Sequence, residues 1–286
     1  MNIHMLSTPL ELISMRSLRF LLLTAVMASA AACGGDTKGV TNPPGPLAYI
    51  RYVQALPDTG TVDFRAVDIV ENLDANNVAY GFVGAYHGVQ PGSRHFKVFV
   101  DMGSTSIDVV TQVILDTTLT LSAGTYYTVM HTGFVRAANS PKQKIVLLTD
   151  SPTAPAPAQF SLRTVLASPG GIAPLDVFAT SDTTTALSGS PKYGGLALLT
   201  PSAYSSFNTG AMFLRVTQSG TTTPVLSNSV VYPGSAASGV TSAIPGSTIA
   251  GSVLTAFVFS RNDTVTANKA VKFTRPTVVY AIDKRP

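Results

Sequence analysis

The sequence contains one cysteine, Cys33, and no tryptophan, and charged residues make up only 12 % of it. A single thiol excludes a disulfide within the chain. The low charge, with 45 % apolar residues and abundant Gly, Pro, Ser and Thr, is typical of short strands joined by many turns. The chain also lacks the clusters of Arg or Lys with aromatic residues that a nucleic-acid-binding groove needs. We therefore expect no nucleic-acid partner.

The motifs of common catalytic sites are missing as well. No Gly is followed two residues later by Ser, no Lys follows a Ser by three residues, and no Gly-x-x-x-x-Gly-Lys loop occurs. After Cys33 only His87, His95 and His131 remain, and their spacing predicts no metal site. The sequence therefore predicts a protein that is not an enzyme and that needs no cofactor.

The acidic residues suggest structural roles rather than catalysis. A loop with acidic and amide side chains from Asp68 to Asn77 favours turn chemistry over a calcium site. Asp63 and Asp176 each lie inside an apolar run, so that period-2 alternation places them on the outward face, or lets them bond turn backbone near Pro57 or Pro169. With Asp58, they are candidates for holding turns and strands. One such Asp in each half of the chain gives no paired-carboxylate site.

An apolar stretch near the N-terminus is too short to span a membrane. It covers 13 residues, from Phe20 to Ala32, against about 20 for a transmembrane helix. Arg16 and Arg19 precede it and small residues end it, which is the layout of a secretory signal. We expect residues 1–32 to be a signal peptide, with Met15 as an alternative start.

The end of this stretch, Ala30-Ala31-Ala32-Cys33, resembles the lipobox of bacterial lipoproteins, with Ala30 where Leu is usual. The resemblance implies that Cys33 is acylated and becomes the N-terminus. Two or more acyl chains hold a protein on a bilayer. Because no Asp directly follows Cys33, the resemblance further implies the outer membrane. Ordinary signal cleavage, which gives a secreted protein, is the alternative.

The remaining chain divides by composition. Residues 33–46 are rich in Gly and Pro and predict a flexible tether, and residues 151–158 carry three prolines and predict a spacer. Between and after them, apolar and polar residues alternate, as in residues 96–100 and 117–121, and residues 78–86 form a further candidate strand. The sequence predicts an all-β fold with two immunoglobulin-like sandwiches, at residues 47–150 and 159–286.

An internal repeat supports two units. Ala55-Leu56-Pro57-Asp58 and then Val62-Asp63-Phe64 are echoed by Ala167-Ser168-Pro169-Gly170 and Leu175-Asp176-Val177. With Ala123-Gly124-Thr125-Tyr126-Tyr127-Thr128, these segments resemble a family of bacterial surface and secreted proteins known only as domain-of-unknown-function family 4397. Gln54 stands where that family often has His. The resemblance implies a β fold at the cell surface and no established activity.

Charge and aromatic residues offer the remaining binding candidates. Residues 47–150 carry 7 basic and 9 acidic residues, a net −2, while residues 158–286 carry 9 and 4, a net +5. The basic C-terminal end includes Lys269, Lys272 and Arg275, and Tyr126 and Tyr127 are candidates for a stacking surface. We predict a non-enzymatic, lipid-anchored envelope protein with a structural, adhesive or partner-binding role. The alternative is a carbohydrate- or cell-wall-binding module, with cell-wall polymer, a glycan or another envelope protein as partner.

Overall fold

The computed structural model describes residues 45–101, 105–107, 111–170, 173–263 and 273–286. The predicted signal peptide, Cys33 and the tether as far as residue 44 lie outside these residues, as do Lys269 and Lys272. All the named elements are β strands, which confirms the predicted all-β fold class. Within the described ranges, no helix has the length and hydropathy needed to cross a membrane.

The first half forms two sheets from seven strands in its described residues. These strands are β1 (Ala48–Ala55), β2 (Val62–Ala66), β3 (His87–Val89), β4 (Gly92–Val100), β5 (Val113–Leu121), β6 (Tyr126–Thr132) and β7 (Lys144–Asp150). The strand orders are β3-β1-β6-β7 and β2-β4-β5. Strands β1 and β6 run parallel, and the other neighbours in these sheets are antiparallel.

The second half repeats this pairing pattern with one extra strand. Its strands are β8 (Gln159–Leu166), β9 (Leu175–Thr180), β10 (Tyr193–Leu196), β11 (Ser205–Asn208), β12 (Phe213–Gln218), β13 (Pro224–Val230), β14 (Val253–Phe259) and β15 (Thr277–Lys284). The orders are β11-β8-β14-β15 and β10-β9-β12-β13. Here β8 and β14 run parallel, as β1 and β6 do. Strand β10 has no counterpart among the seven strands of the first half.

Each half buries an apolar core between its two sheets. In the first half, Ile50 and Tyr52 of β1 face Phe64 of β2 and Phe96 of β4, and these aromatic rings stack. The second core contains Leu162, Val177, Leu214 and Leu254, among others. Because successive side chains of a strand point to opposite faces, the intervening residues of β1 and β8 point away from these cores.

A third apolar cluster forms where those outer faces meet. It brings Val53 and Met130 of the first half together with Val165, Phe257 and Phe259 of the second half. Strands β1, β6, β8 and β14 are therefore buried on both faces. Consistent with this packing, residues Pro46–Pro286 form one compact unit. The immunoglobulin-like description of each half stays a prediction.

Candidate functional site

Four charged side chains are buried together between the two halves. Arg51 lies on β1, Arg163 on β8, Asp150 at the end of β7 and Asp283 on β15, and their side chains are at most 4 % exposed. Arg51 forms an ion pair with Asp283 at 2.7 Å, from Nη1 to Oδ1, and Arg163 pairs with Asp150. Both pairs cross from one half to the other. We call these four residues the charge cluster.

Two hydroxyl groups of the first half donate hydrogen bonds to Asp150. Its Oδ2 accepts hydrogen bonds from Thr128 Oγ1 at 2.6 Å and from Tyr86 Oη at 2.7 Å. The same Thr128 accepts from Arg51 Nε at 2.8 Å, and the Arg51 guanidinium lies 4.6 Å from the centre of the Tyr86 ring. The carboxylate therefore has partners from both halves of the chain.

The second half supplies the same arrangement to Asp283. Its Oδ2 accepts from Thr255 Oγ1 at 2.5 Å and from Tyr204 Oη at 2.9 Å. Arg163 Nε donates to Thr255 at 2.8 Å, and its guanidinium lies 4.7 Å from the Tyr204 ring centre. The hydroxyl contacts, the tyrosine contacts and the ion pairs between the halves thus correspond one to one, as in a two-fold interface. The additional approach of Arg51 to Asp150 at 3.7 Å has no equivalent between Arg163 and Asp283.

Arg51 remains charged although it is buried. Burial alone would lower the pKa of Arg51, but the nearby carboxylates of Asp283 and Asp150 raise it above its ordinary value. Two cations and two carboxylates leave the group without net charge. Such a group stabilises the assembled state only while all its members are present, because one removed partner leaves an uncompensated buried charge.

The three acids predicted to hold turns and strands are buried, and each accepts backbone hydrogen bonds. Asp58 accepts from the amides of Val135 at 2.9 Å and Arg136 at 3.1 Å. Asp63 accepts from the amide of Asn77 at 2.6 Å. Asp63 and Asp176 point away from the cores, as predicted, because their neighbours Phe64 and Val177 point into them. Neighbouring segments cover both carboxylates, however, so the two residues are only 4 % and 7 % exposed. They do not bond the Pro57 or Pro169 turns.

Asp176 holds β10 and the turn between β12 and β13 to the start of β9. Its carboxylate accepts from the amides of Gly195 at 2.7 Å and Gly220 at 2.9 Å, and from Ser219 Oγ at 3.0 Å. Both glycines have positive φ, 62° and 79°, a conformation that favours glycine. Although burial alone would raise it, these donors lower the pKa of Asp176. The role is structural.

The aromatic candidates do not form one surface. Tyr126 and Tyr127 are successive strand residues and therefore point to opposite faces. Tyr127 is buried in the first core, and its hydroxyl accepts from the amide of Ser122 at 3.1 Å. Tyr126 stacks on Tyr49, with ring centres 4.6 Å apart. Arg275 is exposed, while Lys269 and Lys272 are outside the described residues.

The loop from Asp68 to Asn77 binds the guanidinium group of Arg94. Asp68 contacts Arg94 Nε at 2.9 Å and Glu71 contacts its Nη1 at 2.9 Å, and the Arg94 side chain is only 2 % exposed. The Arg94 guanidinium holds the pKa of Asp68 well below its usual range. Across the described ranges, no group of three or more His, Cys, Asp or Glu residues is arranged to hold a metal ion.

A cleft of about 600 Å³ lies in the second half, beside the segment that connects β9 to β10. Phe178, Phe207 and Arg215 line it from the strands, and Asp182, Thr185 and Lys192 line it from the connection. Arg215 is only 5 % exposed. We call this site the Arg215 cleft. No motif in the sequence singles out its arginine.

The described residues define an all-β protein whose buried acids mostly hold strands, turns and the two halves together. Residues 48–177 match the family model described as Domain of unknown function (DUF4397). The match confirms the resemblance drawn from the sequence over that range, which begins with β1 and ends in β9. No curated protein matches the chain.

Proposed function

We propose that the chain is a non-enzymatic, lipid-anchored protein of the cell envelope, with a structural, adhesive or partner-binding role. The observation that carries the proposal is the charge cluster, which joins the two halves through ion pairs in both directions. A body of this kind keeps the surfaces of both halves in a fixed relation, as a structural or adhesive protein requires. Asp58, Asp63 and Asp176 are likewise engaged in structural hydrogen bonds.

We further propose that the halves are tandem units of one kind, each an immunoglobulin-like sandwich. The recurring strand order, the parallel pairs β1–β6 and β8–β14, and the matching positions of Arg51 and Arg163 support a duplication. Arg51 lies four residues before Ala55, and Arg163 lies four before Ala167. The family match ends in β9, so beyond that strand the second unit rests on the strand pairing.

The lipid anchor at Cys33 gives the proposed location, the outer membrane, with secretion as the alternative. Its test is the intact mass of the protein extracted from membranes. We expect a chain that begins at Cys33 and carries the added mass of fatty acids, and a Cys33→Ser variant that no longer fractionates with membranes. A membrane-extracted chain without acyl mass would contradict the anchor and leave the fold unaffected.

The absence of catalysis has its own test. We expect the purified chain to turn over no member of a broad panel of glycan, ester and peptide substrates. Turnover that co-purifies with the protein, and that a substitution within the Arg215 cleft abolishes, would overturn the proposal.

A second candidate function is binding to an acidic polymer of the envelope, favoured by the net charge of +5 on residues 158–286. In a pull-down on isolated envelope polymers, we expect retention that weakens with salt. Retention should also weaken when Lys269, Lys272 and Arg275 are replaced by Gln. Unchanged retention would remove the basic C-terminal end from the binding surface.

A further inference from the structure

Arg215 differs from the other buried arginines of the described residues in its partners. Arg51, Arg94 and Arg163 each form an ion pair with at least one carboxylate. Arg215 Nη1 donates to the backbone carbonyl of Thr185, its Nε is buried without a partner, and no carboxylate of the described residues pairs with it. A buried charge without a counter-charge is costly, so such groups are paired or bind a ligand.

The first half carries a cation at the equivalent strand position, but pairs it with a carboxylate. Arg215 of β12 lies opposite Phe178, the fourth residue of β9, and Lys97 of β4 lies opposite Arg65, the fourth residue of β2. Lys97 pairs with Asp116 at 3.2 Å on the surface. At Arg215, the corresponding cation is instead enclosed by the connection from β9 to β10, with an open cleft in front of it.

The remaining lining supplies an aromatic wall, a second cation and hydroxyl groups. Phe178 and Phe207 line the cleft, and Lys192 Nζ lies 5.0 Å from the centre of the Phe207 ring. Thr180 and Ser190 provide hydroxyls. Asp182 also lines the cleft, but its oxygens accept hydrogen bonds from Thr184 and Thr185, and these donors lower its pKa to about 2. Two cations and one carboxylate leave the cleft positive.

We propose that the Arg215 cleft binds a carboxylate-bearing sugar unit of an acidic envelope polymer. The planar guanidinium offers paired N–H donors that match a carboxylate, the sugar ring packs its C–H face on the aromatic wall, and its hydroxyls meet Thr180 and Ser190. A volume of about 600 Å³ lies within the usual range for small-ligand sites. The inference rests on the second candidate function for the source of the ligand, and it is independent of the lipid anchor.

The test is calorimetric titration of the full chain, purified in detergent, with a galacturonic acid trisaccharide, a neutral galactose trisaccharide and sodium sulfate. We expect saturable binding of the acidic sugar that weakens about 10- to 100-fold in Arg215→Gln, because a charge-assisted bidentate contact is lost. Lys97→Gln, which removes a cation from the equivalent position of the first half, should bind like the wild type.

The stability of Arg215→Gln separates a ligand role from a structural one. Because the substitution removes an unpaired buried charge, we expect a urea midpoint equal to or above that of the wild type. A lower midpoint with unchanged binding would assign Arg215 to holding the connection and overturn the proposal. No saturable binding, equal binding of the neutral sugar, or sulfate binding as tight as that of the acidic sugar would overturn it too. Polymer retention that is insensitive to Arg215→Gln would overturn the cleft while leaving polymer binding intact.

Discussion

Burial of His131 between a phenol and an amide holds its ring neutral. Gln143 Nε2 donates to the carbonyl of Ile114 at 2.9 Å, which orients the amide so that its Oε1 accepts from His131 Nε2 at 2.9 Å. Nδ1 is then free to accept from Tyr52 Oη at 3.0 Å. Burial lowers the pKa of His131 from 6.5 to about 4. Between pH 6.5 and about pH 4, the unfolded chain therefore binds a proton at His131 that the folded protein does not bind.

This gives a predicted pH dependence with a definite sign. Between pH 6.5 and pH 4 the unfolded state binds more protons, so the stability falls as the pH drops and the loss is complete below about pH 4. We expect the His131 contribution to be about 2–3 kcal/mol lower at pH 4.5 than at pH 7. Urea unfolding of the wild type and of His131→Gln at both pH values measures it. Equal acid sensitivity of the two proteins would contradict the prediction.

Substitution of one member of the charge cluster should cost far more than substitution of a surface acid. In Asp283→Asn, Arg51 keeps only Asp150, at 3.7 Å, as a counter-charge, so we expect a loss of about 3–5 kcal/mol in unfolding free energy. Asp116→Asn is the control, because Asp116 pairs with Lys97 on the surface and should leave the urea midpoint unchanged within error. Equal effects of the two substitutions would show that the cluster is not a stabilising contact.

At the scale of elements, Asp176 connects two strands of one sheet and a turn at its edge. Asp176 belongs to β9. Its carboxylate accepts hydrogen bonds from the amides of Gly195 in β10 and of Gly220 in the turn between β12 and β13. We expect Asp176→Ala to lower the unfolding free energy by about 1–3 kcal/mol, because it removes the charged acceptor of two backbone amides and one hydroxyl. Asp176→Asn retains one acceptor oxygen, so its unfolding free energy should lie between that of Asp176→Ala and that of the wild type. An alanine variant as stable as the wild type in urea would contradict this role.

Strand prediction from the sequence succeeded where an apolar face alternates with a polar one. Residues 117–121 lie in β5 and residues 96–100 in β4, as predicted. Residues 78–86 do not form the predicted strand, because Gly81 has φ of 90° and only isolated bridges at Val78 and Val83 remain. Strand β11 was missed because Ser205–Asn208 has little intrinsic strand preference and is set by pairing with β8.

The sites were harder to predict than the strands, because burial depends on what packs on a face. An Arg inside an apolar strand at the same offset in both halves, Arg51 and Arg163, was a readable signal of the charge cluster. Asp283 faces Arg51 only because the two halves pack together. No pattern in the sequence around Asp283 predicts that contact. No local pattern marked Arg215, because the segment beside it, the connection from β9 to β10, lies far from it in the sequence.

For the whole molecule, the shared apolar cluster predicts cooperative unfolding. The halves meet through Val53, Met130, Val165 and Phe257, so we expect a single calorimetric transition rather than two. Leu121→Ala in the first core and Leu214→Ala in the second should each cost about 2–5 kcal/mol and shift that same transition. Two transitions, each sensitive to only one of the substitutions, would show that the halves unfold independently.

The reciprocity of the contact between halves has a consequence for refolding at high protein concentration. Since reciprocal ion pairs of the charge cluster join the two halves and residues 151–158 connect them, the first half of one chain can dock with the second half of another without any new contact. Exchange of this kind yields a closed, intertwined dimer in which every native ion pair is formed. Its yield after dilution from urea should rise with chain concentration, because the intramolecular route competes with a bimolecular one.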